Sequence, residues 1–194
     1  MGQAGDASAR LCSALRTADV VAAEDTRRAR NLASALDVQI TGRIVSYYDH
    51  VETARARQLV EAVAEGSTVL LITDAGMPSV SDPGYTVVRA CVDAGLPVTC
   101  LPGPSAVTTA LALSALPAER FCFDGFAPRK PGARRTWLAE LIAQPRTTVF
   151  FESPHRLADT LDCAPAVLAP GRRAGMGREL TKTHEEVRRG TLAE

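Results

Sequence analysis

Four short apolar runs alternate with amphipathic stretches along the first part of the chain. Leu11, Ala14, Leu15 and Ala18 recur at helical spacing and predict a helix over 6–17, with Asp6 or Ser8 able to cap it. The run 19–23 reads as a short buried strand. An arginine-rich helix over 26–36 and a second strand over 44–46 come next. Ala54, Leu59, Ala62 and Val63 share one face of a helix over 53–65, stopped by Gly66. After Thr68 the chain is continuously apolar to Ile72, as in a strand covered on both faces. A helix over 83–94, ended by Gly95, leads to a strand over 98–101 and a helix over 105–115. Strands alternating with helices predict an open, mostly parallel α/β sheet.

After Leu116-Pro117 the pattern changes: a short strand over 121–123, a helix over 134–143, a strong strand over 147–151, then two extended segments within 174–192 joined by a polar turn. A boundary near 117 follows, with an N-terminal α/β domain over 1–117 and a smaller mixed α/β domain over 118–194.

Composition narrows the function classes. With 46% hydrophobic and 23% charged residues, the 194-residue chain has an ordinary globular makeup. Its 22 basic and 22 acidic side chains exclude a histone-like basic binder. The balance is uneven along the chain: residues 1–97 carry 9 basic and 12 acidic side chains, and residues 98–194 carry 13 and 10. The later half is therefore where an anionic partner is expected. Five cysteines without C-x-x-C spacing read as small buried hydrophobes in a reduced compartment. Three distant histidines give no metal-ligand pattern, so no metal is expected. The charge-free run 96–118 is broken by Pro97, Pro102, Gly103, Pro104 and Pro117, leaving too short a helix to span a bilayer. The opening MGQAGDASAR has no apolar signal core, and a cytoplasmic protein without membrane association is expected.

Candidate chemistry gathers at predicted strand ends. The loop Thr73-Asp74-Ala75-Gly76-Met77-Pro78-Ser79-Val80-Ser81-Asp82-Pro83-Gly84 leaves a strand at its carboxyl end, where open α/β sheets bind ligands. It matches neither dinucleotide nor P-loop glycine patterns. Two carboxylates without lysine suit a hydroxylated or cationic ligand, although a tight structural connection has the same spacing. Leu101-Pro102-Gly103-Pro104-Ser105-Ala106 leaves the next predicted strand and opens a helix; Ser105 suits a cap or a ligand contact. Glu24-Asp25-Thr26-Arg27 could supply a proton acceptor, or an N-cap with helix-dipole acids. Arg27, Arg28 and Arg30 suit phosphate contacts or a solvated helix face. Arg129, Lys130, Arg134 and Arg135, beside the only tryptophan, suit phosphate contacts and base stacking, or an exposed loop over a core Trp137. Glu152-Ser153-Pro154-His155-Arg156 and the segment 178–186 mix charges densely beside apolar strands.

In this order, Glu24-Asp25-Thr26-Arg27, DAGMPSVSDPG (74–84), LPGPSA (101–106), FCFDGFAPRK (121–130), FFESPHR (150–156) and RELTKTHEE (178–186) resemble the ribosomal RNA small subunit methyltransferase I family, within the tetrapyrrole-methylase-like class of S-adenosylmethionine enzymes. The resemblance runs from about residue 5 to the C-terminus. It implies a two-domain α/β enzyme, usually a homodimer, that binds S-adenosylmethionine between its domains and methylates the ribose 2′-hydroxyl of a cytidine in the decoding region of 16S rRNA in the 30S subunit. By motif, Asp74, Ala75, Gly76, Pro78, Ser81, Asp82, Ser105 and Ala106 fall on the cofactor side, with Phe123 and Thr181 as the second domain's contacts. Glu24 or Asp25 is the first choice of base, with Glu152 and Lys182 behind. The basic residues named above would hold the RNA backbone.

The resemblance also implies a first strand ending in a P-x-G-N-like turn and a second domain that continues beyond R-E-L-T-K. Here Met1-Gly2-Gln3-Ala4-Gly5 starts inside or after that turn and the chain ends at Glu194. A fragment or misassigned reading frame of an active enzyme, or an impaired paralogue, is therefore expected. A tetrapyrrole methyltransferase and a non-catalytic RNA- or metabolite-binding domain are the alternatives.

Overall fold

The computed structural model describes residues 2–194, apart from the side chain of Asp49. It divides into two compact units, one over 3–105 and the other over 106–194. The division falls ahead of the pattern change at 117, because the helix Ala106–Leu113 packs against strands of the second unit.

In the first unit the elements run α1 (Ala9–Thr17), β1 (Val20–Ala23), α2 (Thr26–Ala35), β2 (Arg43–Ser46), α3 (Glu52–Ala64), β3 (Val69–Ile72) and α4 (Tyr85–Asp93). The three strands form a parallel sheet in the order β2-β1-β3. Every residue of the central β1 is buried. Its side chains alternate between two cores, as strand geometry requires. Val20 and Ala22 pack with Val45, Tyr47, Ala56, Leu59, Val87 and Cys91 on one face, while Val21 joins Leu15, Ala18 and Val38 on the other. Both ladders are in register at their ends, with Ala23 opposite Ser46 and opposite Ile72. The loops after β1, β2 and β3 therefore leave at one level, on one edge. Of the two cap candidates for α1, Ser8 is the one used: its Oγ accepts the N–H of Leu11 at 3.1 Å.

The strand expected over 98–101 does not form; residues 96–105 have no regular structure and Val98 is 47% exposed. Among the described residues no strand pairs with the outer edge of β3, and residues 98–101 are in no ladder. Cys100, on that segment, is exposed, whereas Cys91 is buried and the other cysteines are half-buried. The expected burial of the five cysteines is therefore met at Cys91, partial at Cys12, Cys122 and Cys163, and fails at Cys100.

The second unit holds α5 (Ala106–Leu113), β4 (Phe121–Phe126), α6 (Pro131–Glu140), β5 (Thr147–Phe151), α7 (Leu157–Leu168), β6 (Arg173–Arg178) and β7 (Glu186–Thr191). Strands β4 and β5 pair in parallel, with a register shift between Phe123 and Phe126; β6 and β7 form an antiparallel hairpin. Helix α6 starts at Pro131, ahead of the expected 134, because proline suits a first-turn position. Helix α7 is absent from the sequence reading. Pro165 inside it has the local mark of a breaker, but Thr160 and Ala164 are buried and the helix packs against α6. Among the described residues no helix is long and apolar enough to cross a membrane.

Candidate active site

The shared edge of the first unit brings Glu24 and Asp25 at the end of β1 beside Asp74 at the end of β3. Glu24 Oε2 accepts the N–H of Asp74 at 3.1 Å, and Asp74 Oδ1 accepts the N–H of Asp25 at 3.1 Å. Two carboxylates thus satisfy the first free amides beyond the two strands. Arg28 Nε adds an ion pair to Asp74 at 3.4 Å.

Asp25 is engaged differently from Glu24. It is the N-cap of α2, accepting the N–H groups of Arg27 (2.8 Å) and Arg28 (3.4 Å), and it also pairs with the Arg27 guanidinium at 2.9 Å. The hydrogen bonds from the Arg27 side chain and backbone hold its carboxyl at about 2. A group so acidic is a weak proton acceptor near neutral pH. Of the two first choices of base, Glu24 has the carboxylate whose second oxygen has no hydrogen bond among the described residues. Arg27 and Arg28 are turned onto carboxylates, and Arg30 onto Thr26 at 3.4 Å.

The 74–84 loop carries unusual backbone. Among the described residues, seven non-glycine positions have positive φ, and four of them lie in two motifs: Ser79 (71°) and Ser81 (62°) here, Glu179 (50°) and Thr181 (66°) in the second unit. Such conformations persist where the surroundings over-determine them, which favours functional sites. Gly76 has φ 81° with open space where a Cβ would point. Gly84 has φ 150°, and a Cβ there would meet Ser79 N and Oγ at 2.9 Å. The N–H of Ser79 donates to Pro83 O at 3.3 Å, closing the loop on itself. The 101–104 segment lies alongside: a Cβ on Gly103 would touch Met77 Sδ at 3.5 Å. The two expected ligand loops are therefore neighbours, with Ala75, Ser79 and Ser81 exposed and Asp74, Gly76, Pro78, Asp82 and Ser105 half-buried.

A residue absent from the sequence reading anchors this loop. Glu52 Oε1, in the first turn of α3, accepts the Tyr47 hydroxyl (3.0 Å), the N–H of Gly84 (3.0 Å) and the N–H of Thr86 (3.4 Å). It caps α4 from another helix, which is why no local cap was legible before Tyr85. Burial alone would raise its carboxyl, but the Gly84 N–H, the Tyr47 hydroxyl and the Thr86 N–H together bring it below the usual range. Burial, with the Glu52 carboxylate beside it, pushes the Tyr47 hydroxyl up. The local signal for Glu52 was an acid at a helix start just after a strand.

In the second unit, Glu152 is a buried hub: Oε2 accepts the Thr160 hydroxyl at 2.6 Å, and Oε1 accepts the N–H of Ser153 at 2.7 Å and pairs with Arg156 at 2.9 Å. Both of its oxygens are thus engaged within the second unit. Lys182 is half-exposed and reaches Glu179 at 3.6 Å. The Thr181 N–H donates to Glu185 at 2.6 Å, and its hydroxyl accepts from Gly2 N at 3.0 Å. Phe123 stacks edge-on against Phe151 with ring centres 5.0 Å apart. Arg129, Lys130 and Arg135 are exposed, without ion pairs among the described residues. Arg134 differs: it is buried, 3.5 Å from Asp159, with Nε and one terminal nitrogen lacking hydrogen bonds. Its burial takes it out of the exposed basic surface in which the sequence had grouped it.

The residues of the 74–84 loop fit the cationic, polyhydroxylated S-adenosylmethionine: the segment offers Asp74, Asp82, Ser79 and Ser81 and contains no lysine or arginine.

Comparison with known proteins agrees with this. A family profile described as Tetrapyrrole (Corrin/Porphyrin) Methylases matches residues 1–194. A protein of Mycobacterium tuberculosis (strain ATCC 25618 / H37Rv), named ribosomal RNA small subunit methyltransferase I, is 63% identical over 194 residues; the match covers 100% of this chain and 68% of that protein. The fold is similar to that of the methyltransferase CobJ, with TM-score 0.73 at 20% identity over 100% of this chain and 83% of that one. It is also similar to uroporphyrin-III C-methyltransferase from Thermus thermophilus complexed with S-adenosyl homocysteine, with TM-score 0.66 at 21% identity, covering 98% and 84% of the two chains.

Proposed function

The chain belongs to the tetrapyrrole methylase family, and from that premise we propose that it methylates the ribose 2′-hydroxyl of a cytidine in the decoding region of 16S rRNA. It is an S-adenosylmethionine-dependent methyltransferase. The observation that carries the rRNA reading is the 63% identity along the whole chain with a relative named for that substrate.

S-adenosylmethionine, when bound, supplies an electrophilic methyl group on a positively charged sulfur. The rest of the reaction is alignment and proton removal, and alignment is the larger part. The Asp74, Ala75, Gly76, Pro78, Ser81 and Asp82 stretch, with Ser105 and Ala106, is assigned to hold the cofactor. Asp82, together with Asp74 beside its Arg28 partner, complements the positive charge, and the exposed Ser79 and Ser81 complement the hydroxyls. Glu24 is assigned to take the proton of the attacking hydroxyl; its Oε2 is fixed by the Asp74 amide, so its Oε1 is aimed by the same contact. Glu152 serves the second unit as a positioning carboxylate. Exposed Arg129, Lys130 and Arg135 contact RNA phosphates. A homodimer acting in the cytoplasm is part of the same proposal, and the exposed Tyr85, Val88 and Val92 on one stripe of α4 support the self-association.

The test is transfer of labelled methyl from S-adenosylmethionine to 30S subunits prepared without the modification. Label on a cytidine ribose of 16S rRNA is expected, and label on a base or no transfer refutes the assignment.

A further inference from the structure

Phe126 ends β4 and is 57% exposed, and a single exposed apolar residue is ordinary in itself. Three features set this one apart. The register shift between Phe123 and Phe126, at Gly125 with φ 70°, breaks the strand alternation and re-aims the ring. The ring is backed by another, Phe151, at 5.4 Å and a 60° tilt, which in turn packs edge-on against Phe123. The next residue is pinned on both sides: the Ala127 N–H donates to Phe151 O at 3.0 Å, and Arg156 donates to Ala127 O at 3.2 Å. Arg156 is itself held by Glu152, whose side chain is 4% exposed. Directly after this fixed point come Pro128 and the exposed cations Arg129 and Lys130.

We infer that Phe126, Arg129 and Lys130 form a nucleotide grip for single-stranded RNA, with a base stacked on the Phe126 ring and the adjoining phosphates on the two cations. This rests on the RNA-substrate reading above and adds the site that receives the RNA. A π-face beside backbone-tracking cations is the combination by which proteins hold unpaired nucleotides without reading sequence. Glu152 and Arg156 act as positioning residues, because they fix the Ala127 carbonyl from which both halves of the grip extend.

The probe is a fluorescent oligocytidylate and an abasic oligomer of the same length, titrated against the full chain and its variants by anisotropy. Phe126→Ala and Phe126→Leu are expected to weaken binding of the oligocytidylate by roughly 5- to 100-fold, Phe126→Trp to keep it, and none to alter binding of the abasic oligomer. Replacing Arg129 and Lys130 with alanine is expected to lower the salt slope by about 0.7 per charge on both oligomers. Calorimetry with S-adenosylmethionine, unchanged in Phe126→Leu, shows that the variant is folded. Wild-type protein that binds oligocytidylate while Phe126→Leu binds it equally well overturns the grip alone; an equal loss on both oligomers does the same. Wild-type protein that binds neither oligomer and transfers no methyl to 30S subunits overturns the RNA reading beneath it.

Discussion

Glu24 and Asp74 lie in neighbouring strand-end loops, and the first accepts the backbone N–H of the second at 3.1 Å while Asp74 accepts the N–H of the residue after Glu24. This reciprocal pairing ties the proposed base to the loop proposed to hold the cofactor, so the two cannot drift apart independently.

Glu24→Gln keeps an oxygen for the Asp74 amide and removes the proton acceptor. Methyl transfer under single-turnover conditions is expected to fall by roughly 100-fold or more, with S-adenosylmethionine affinity within a few-fold of wild type. A Glu24→Gln enzyme as fast as wild type would remove Glu24 from the chemistry.

Asp25 gives a signed pH dependence. Its carboxyl lies at about 2 in the folded chain against 3.8 for the unperturbed group, so the folded state favours the ionised form. Its contribution to stability is complete above about 3.8 and is lost as pH falls from there through about 2. Urea midpoints of wild type and Asp25→Ala should differ by a constant amount from neutral pH down to about 4 and converge on further acidification. A gap that closes near neutral pH contradicts the capping geometry.

Gly84→Ala and Gly76→Ala separate crowding from backbone conformation. Both glycines have positive φ, but only at Gly84 would a Cβ strike the Ser79 backbone. Gly76→Ala should cost about 1–2 kcal/mol. Gly84→Ala should cost more than about 3 kcal/mol and also displace Ser79. Chemical denaturation measures both, and equal costs would contradict the close approach.

Glu52→Ala leaves the buried Tyr47 hydroxyl and the first amides of α4 without their acceptor. A loss of about 2–3 kcal/mol is expected, together with weaker S-adenosylmethionine binding through a loosened 79–84 turn. Glu52→Gln, which retains Oε1 as an acceptor, should recover most of both in melting and calorimetry. Affinity that stays intact in a destabilised Glu52→Ala protein would confine the residue to a structural role.

The parallel sheet was legible because its strands are short apolar runs with helices between them, and the 74–84 loop because glycine, proline and acid cluster at a strand end. Residues 98–101 show the limit of that signal. Val-Thr-Cys-Leu has the composition of a strand, yet ladder pairing is a property of neighbours, and among the described residues nothing pairs with it. Helix α7 was hidden by Pro165, whose local penalty is outweighed by packing against α6. Asp25 was legible as a cap from its local pattern and as a base only through the family resemblance, and the contacts that decide, from the Arg27 and Arg28 amides and the Arg27 guanidinium, favour the cap. Glu52 and Phe126 escaped notice for a shared reason. One acts on amides that are 32 and 34 positions away in the chain, and the other is set by a register shift that composition does not record.

The outer edge of β3 has a consequence for handling the protein. Val69, Leu70, Leu71 and Ile72 are only half-buried, pair on one side alone among the described residues, and include no charge, proline or bulge to discourage a further strand. Such an edge is a template for intermolecular β-pairing. Colloidal behaviour should therefore respond to this four-residue stretch more than to the balanced surface charge, and a lysine at Leu70 or Leu71 would test solubility against core packing in one substitution.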